Sequence, residues 1–152
     1  MTLVEALRGC ALFKDFSETG LRIFAAVATE RTLAAGTPLF AENMVGESLF
    51  IVKAGTVRIS RREGGTEREL ATVGPGEHLG ELALLAKSVR LVSATAASSC
   101  EVLEISQRDF YRLQPQKPQA CLKLALAIAA DLAQKMAENR DALHALGAVP
   151  RP

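Results

Sequence analysis

The chain has no tryptophan and one tyrosine, and aromatic residues make up 5% of it against a hydrophobic share of 49%. Its core must therefore be built from aliphatic side chains, as in an ordinary globular domain. Net charge is +1, which leaves no overall field for nucleic acid or an anionic membrane. No apolar run reaches the roughly 18–20 residues needed to cross a bilayer. Met1-Thr2-Leu3-Val4-Glu5 lacks the charged and apolar regions of a secretory leader. Cys10, Cys100 and Cys121 are odd in number, widely spaced and set among apolar residues. Buried, reduced thiols are expected, and with them a cytoplasmic location. Histidine is scarce too: His78 and His144 are the only two, far apart in the chain.

What is present has a clear order. At 152 residues the length suits one domain. Residues 1–28 read as short helices: Thr2 to Arg8, then Ser17 as N-cap of a helix from Glu18 to about Ala28. From Thr29 short strands follow one another with glycine at the turns. Gly55 divides Ser48–Val52 from Thr56–Ser60, where Val57 and Ile59 alternate with Arg58 and Ser60. Gly64-Gly65 makes a hairpin into Glu67–Val73. Val92–Ala97 and Glu101–Ile105 are expected to form a last strand pair. This spacing predicts a mainly β fold over residues 29–105, a small antiparallel barrel or jelly roll. Ser106 opens a helix near Asp109–Leu113, which Pro115 and Pro118 break. A long helix is expected from Gln119 to about Ala145, giving helices over 106–146 and a tail at 147–152.

In that helix Leu122, Ala125, Ala129, Leu132, Met136, Asn139, Leu143 and Leu146 recur at steps of three and four, close to a heptad seam. Leu124 and Ile128 lie off the seam and offer a second apolar face. A helix packed only on the roll fits the pattern. A homodimer through residues 119–145 fits it better, because both faces are then used.

The chain is organised around Gly74-Pro75-Gly76-Glu77-His78-Leu79-Gly80-Glu81-Leu82-Ala83-Leu84-Leu85, with Arg90 beyond it. Glycines around a proline force a tight turn. Gly80 to Leu85 reads as one helical turn whose free N–H groups suit an anion. A carboxylate there, Glu81, needs hydrogen bonds, and ligand hydroxyls are the natural donors. Arg90 can grip phosphate with its planar fork. Together these describe a sugar-phosphate site. A loop with a buried helical cap would carry many of the same residues.

The order of elements, with Gly36-Thr37-Pro38-Leu39-Phe40, Gly46-Glu47-Ser48-Leu49-Phe50-Ile51-Val52, Gly55-Thr56-Val57 and the stretch from Gly74 to Leu85, resembles the cyclic nucleotide-binding domain family. That family includes the catabolite activator protein and the regulatory subunits of protein kinase A. The resemblance covers roughly residues 5–145 and implies an eight-stranded antiparallel jelly roll with N-terminal helices and a long C-terminal helix. It implies that Gly80 and Glu81 open the phosphate-binding cassette, with Glu81 accepting from the ribose 2′-hydroxyl. The N–H groups of Leu82 and Ala83 would face the cyclic phosphate. Arg90, nine residues after Glu81, stands at the phosphate arginine, and Ser93 at the family's serine or threonine. Leu91 and Val92 depart from the small residues usual after that arginine, and Leu91, if it pointed inward, would fill the phosphate pocket. A shifted alignment puts Val92 on the arginine and uses Ser93-Ala94-Thr95 as the small run. Val57, Ile59 and Leu70 could line the base pocket or be plain core.

The implied ligand is a cyclic nucleotide, cAMP or cGMP, and no metal: the related cupin-type rolls bind metal with several histidines and an acid. No nucleophile motif and no paired catalytic carboxylates appear, so no catalytic residue is assigned and an enzyme is not expected. No helix-turn-helix follows the long helix before Pro152, and Arg58, Arg61, Arg62 and Arg68 are neutralised by Glu63, Glu67 and Glu69. Two readings remain. One is a stand-alone cyclic-nucleotide sensor that signals to a protein partner in trans. The other is a degenerate roll serving as a protein-interaction or dimerisation scaffold without nucleotide, with Glu81 and Arg90 paired to each other or to neighbours.

Overall fold

The computed structural model describes residues 1–139. Helix α1 (Leu3–Arg8) starts with a capping box: Thr2 Oγ1 accepts from Glu5 N at 3.1 Å, and Glu5 Oε2 accepts from Thr2 N at 2.8 Å. A 3-10 turn (Ala11–Phe13) leads to α2 (Glu18–Val27), whose N-cap is Ser17, as its hydroxyl predicted. Eight strands follow: β1 (Thr29–Leu33), β2 (Pro38–Phe40), β3 (Ser48–Ala54), β4 (Val57–Glu63), β5 (Thr66–Val73), β6 (His78–Leu79), β7 (Ser93–Ala96) and β8 (Cys100–Ser106). A short helix α3 (Leu82–Leu85) sits between β6 and β7. Helix α4 (Gln107–Leu113) is capped by Ser106, and α5 (Pro118–Glu138) has its proline in the first turn, where the missing N–H costs nothing.

The strands form two four-stranded antiparallel sheets, ordered β1-β8-β3-β6 and β2-β7-β4-β5. This is the expected jelly roll. Strand β3 is buried on both faces, which its unbroken run Leu49-Phe50-Ile51-Val52 allows. Leu49 and Ile51 pack on the helices with Leu7, Phe13, Phe24, Leu124 and Ile128. Phe50 and Val52 face the interior of the roll with Val57, Leu79, Ala94, Ala96 and Val102. One strand thus joins two cores. Gly55 lets the chain pass from one sheet to the other: its φ is +83°, and a Cβ there would lie 2.2 Å from Ser99 O.

Two expectations need correcting. The segments over Val92–Ala97 and Glu101–Ile105 are strands, but they are not a pair. Strand β7 joins β2 and β4, while β8 joins β1 and β3 in the opposite sheet. The chain crosses the sandwich between them because Ala94 and Ala96 face Val102 across the interior. Leu70 is not inside the roll. Ile59 pairs with Ala71 and Ser60 with Glu69, so Leu70 is the extra residue of a bulge and is 45% exposed.

Cys10, Cys100 and Cys121 are free and buried, as expected. Burial pushes the Cys121 thiol up from its ordinary pKa. Helix α5 buries Cys121, Leu124 and Ile128, the face off the seam, and leaves Leu122, Leu126 and Met136 exposed. Residues 140–152, with Leu143, Leu146 and the tail, lie outside the described residues. Among the described residues no helix is long and apolar enough to cross a membrane.

Candidate functional site

The glycine-rich stretch builds one turn between the sheets. Gly76 N donates to Val52 O at 2.9 Å and Val52 N to Glu77 O at 3.0 Å, which ties the turn to the central strand. Gly80 follows β6 with a φ of +76°, and Glu81 is the N-cap of α3. Ala83 N donates to Gly80 O at 3.2 Å and Leu84 N to Glu81 O at 3.1 Å, so Ala83 N–H, expected on the phosphate, is bonded within the turn in this structure.

Arg90 folds back onto this turn. The loop after β2 clamps its backbone: Arg90 N donates to Met44 O at 2.7 Å, and Asn43 N to Arg90 O at 2.8 Å. Its Nη1 donates to Gly80 O at 3.1 Å and its Nη2 to Ser48 O at 2.7 Å. The guanidinium carbon lies 4.1 Å from the centre of the Phe40 ring. Only 9% of the residue is exposed. The fit depends on glycine, since a Cβ at Gly80 would come within 2.5 Å of Nη1. Burial lowers the arginine's pKa, and the charges of Glu81, Glu104 and Glu47 oppose that. A guanidinium stays charged under such shifts. Its Nε is buried with no hydrogen-bond partner among the described residues. Beside it opens a cavity of about 430 Å³ lined by Arg31, Phe40, Ser48, Phe50 and Glu104. Within that lining Arg31 Nη1 donates to Glu104 Oε1 at 3.1 Å and Ser48 Oγ to Glu104 Oε2 at 2.6 Å.

Leu91 points to solvent, 79% exposed, and does not fill the hollow. Ser93 Oγ accepts from Glu42 N at 3.0 Å, holding the loop after β2. Val57 is fully buried and Ile59 half-buried in the same interior. Leu70, out on its bulge, does not join them.

Glu81 faces the other way, toward α5. Its Oε2 lies 3.4 Å from His78 Nδ1, and its Oε1 accepts from Lys135 Nζ at 3.1 Å. Lys135 Nζ is also 3.0 Å from Asp131 Oδ2, and His78 Nε2 is 3.6 Å from the same oxygen. Burial pushes the Glu81 pKa up, but the His78 hydrogen bond, a backbone hydrogen bond and the charges of His78 and Lys135 outweigh it and hold the carboxyl at about 2. Lys135 is half-exposed: partial burial lowers its pKa, and its bonds to Asp131 and Glu81 more than reverse this. Glu81 and Arg90 are not among each other's polar partners. One ligand atom from each of His78, Glu81 and Asp131 lies within 4.8 Å of the others. Lys135 already puts a positive charge between the two carboxylates.

Sequence reasoning missed His78, Asp131 and Lys135. The helical spacing of Asp131 and Lys135 was visible, but nothing local says that this face of α5 meets the turn at Glu81. It also missed Ser48 and Phe40, which hold Arg90 by a carbonyl and a ring.

A family model described as the cyclic nucleotide-binding domain matches residues 30–116. The chain is 32% identical to the cyclic AMP receptor protein of Thermus thermophilus over 124 residues, 81% of this chain and 57% of that protein. It thus spans little more than half of that relative's length. The N-terminal domain of a transcriptional regulator from Streptomyces coelicolor superposes with a TM-score of 0.77 at 31% identity, covering 86% of this chain and 94% of that one. The regulatory domain of Toxoplasma gondii PKA, solved with cAMP, superposes with a TM-score of 0.67 at 34% identity, covering 72% of this chain and 42% of that one. The chain belongs to the cyclic nucleotide-binding domain family.

Proposed function

We propose that this chain is a cyclic-nucleotide sensor that passes its signal to a protein partner, and that it is not an enzyme. The observation that carries this is the buried, inward-folded Arg90, with an unpartnered Nε beside an open cavity. A charge taken out of water at that cost, against carbonyls and a ring and with no carboxylate partner, suits an anionic ligand. The outward turn of Leu91 removes the steric objection to phosphate. Glu81 would accept from the ribose, and Val57 and Ile59 would flank the base. Whether the base is adenine or guanine is a question for a panel of cyclic nucleotides read by thermal shift.

The test is calorimetry with cAMP and cGMP on wild type and Arg90→Ala. A charged hydrogen bond in a shielded site is worth about 1.5–3 kcal/mol, so the variant should bind more than tenfold more weakly. Equal affinities would rule out the phosphate role.

A second reading, a scaffold without nucleotide, has its own support. Ala83 N, Ser93 Oγ and both Glu81 oxygens have intramolecular partners. Wild type that binds neither nucleotide would favour it. Either reading is compatible with residues 1–146 acting as one domain in the cytoplasm, paired as a homodimer through the face of α5 with Leu122 and Met136. Leu132→Glu with Met136→Glu should then halve the mass in light scattering, and an unchanged mass would exclude that seam.

A further inference from the structure

We propose that His78 is a proton-operated clamp between the nucleotide cassette and α5, so that a proton and the nucleotide bind cooperatively. This rests on the sensor reading for its ligand, but the clamp itself does not. The imidazole has a carboxylate at each end: Glu81 Oε2 at 3.4 Å from Nδ1 and Asp131 Oδ2 at 3.6 Å from Nε2. Neutral imidazole donates from one nitrogen only, so one carboxylate must face a lone pair. Imidazolium donates from both. Asp131 Oδ2 is buried and, apart from the ring, takes one close cation among the described residues, Lys135 Nζ at 3.0 Å, which leaves a carboxylate oxygen with a lone pair to spare. That oxygen is the acceptor a second N–H on the ring would satisfy. The ring is itself largely buried, with 8% of its side chain exposed.

The other charged and titratable neighbours fix the sign. From α5 come Asp131 and Lys135, from the cassette Glu81, and from the segment after α1 Cys10, whose thiol is pushed up to about 11 by burial, with the Asp131 and Glu81 charges adding. Cys10 therefore stays neutral at ordinary pH. The charge of Glu81 also reaches Arg90. Around the ring itself stand two carboxylates and one cation, Lys135. A cyclic phosphate would add a further negative charge nearby, which a protonated His78 offsets. Imidazole is the side chain that ordinarily changes charge between about pH 5 and 8. Lowering the pH through that range should thus tighten nucleotide binding and fasten α5 to the cassette, and by reciprocity nucleotide should promote protonation. In this role His78 is a positioning residue that acts through Glu81.

Two measurements test this, and they fail separately. Calorimetry with the tighter of cAMP and cGMP at pH 6 and 8 should show affinity rising at pH 6, by no more than the tenfold per pH unit that one linked proton allows. The rise should flatten in His78→Gln and in Asp131→Asn. Hydrogen exchange of the amides of α5, in nucleotide-free protein and corrected for intrinsic rates, should show more protection at pH 6 than at pH 8, again flattened in both variants. Exchange that does not differ between the two pH values in wild type overturns the clamp, whatever binds. An affinity that is flat, falls at pH 6, or keeps its slope in both variants overturns the linkage to nucleotide. If neither nucleotide binds at any pH while exchange behaves as expected, the sensor reading fails and the clamp stands.

Discussion

The two charged walls at the Gly80 turn, Arg90 and Glu81, are held in opposite ways. Arg90 is fixed by neutral partners: two backbone carbonyls, an aromatic ring, and glycines at positions where a side chain would collide with it. None of these titrates. Glu81 is fixed by ionisable side chains, one from the adjacent strand and one from α5. The arginine wall is set by backbone geometry and should respond little to pH or salt. The glutamate wall is set by charge and should respond to both. It is also the wall that touches helix α5, through Lys135.

The largest effect should come from breaking the arginine wall at its backbone. Gly80→Ala places a Cβ 2.5 Å from Arg90 Nη1 and 2.9 Å from Ser48 O, at a φ of +76°. The left-handed backbone costs about 1–2 kcal/mol and overpacking typically about 1–3 more. Arg90 can swing away, but Ser48 O belongs to the central strand and cannot. Denaturant unfolding should show a loss of roughly 2–5 kcal/mol. Gly36→Ala is the control: its φ is +88°, but nothing lies within 4 Å of the added Cβ, so only the backbone cost should appear. If the two variants lose the same stability, the close approach at Gly80 contributes nothing.

Acid should break the other wall. A carboxyl held at about 2 when folded and at an ordinary 4.5 when unfolded stabilises the fold above the higher value. That contribution is lost as pH falls from about 4.5 through about 2. At 1.4 kcal/mol per unit it amounts to roughly 3 kcal/mol. Lys135, whose pKa is raised by Asp131 and Glu81, keeps its proton throughout that window. Glu81→Gln should remove this part of the acid dependence, seen as a flatter stability curve between pH 5 and 2. A curve as steep as wild type would mean that Glu81 is not held by charge.

The contrast also explains what could be read from the sequence. The roll was legible because its signals are local: Ser17 and Ser106 as caps, Gly55 at the crossing, Gly64-Gly65 at the hairpin. That Arg90 returns to the turn at Gly80 was legible because the two are close in sequence, whereas the turn of Glu81 toward α5 was not. The partition of β7 and β8 between sheets was not, because alternation tells which residues face inward but not from which side. The bulge at Leu70 was hidden for a related reason, since one inserted residue leaves the pattern around it intact. The neighbours of Glu81 were hidden by distance. Lys135 lies on a helix whose apolar periodicity announces the buried face of Cys121, Leu124 and Ile128, but polar residues at its edge follow no such rule.

The smallest effect tests the comparison most finely. Lys135 is half-exposed, so its pairs with Glu81 and Asp131 are partly screened and worth about 0.2–1 kcal/mol together. Lys135→Met keeps the aliphatic stem and removes the charge, so packing loss should not mask the electrostatic one. At low salt the variant should be less stable by that small amount. At 1 M salt, where the screening length falls to about 3 Å, the difference should vanish. Phe40→Leu on the arginine wall removes a ring face that salt cannot screen in a buried contact, so its deficit should persist at both salt concentrations. A Lys135→Met deficit that also survives high salt would make the glutamate wall as rigid as the arginine wall. The asymmetry between a fixed wall and a responsive one would then be gone, and with it the reason to expect α5 to feel what happens at Glu81.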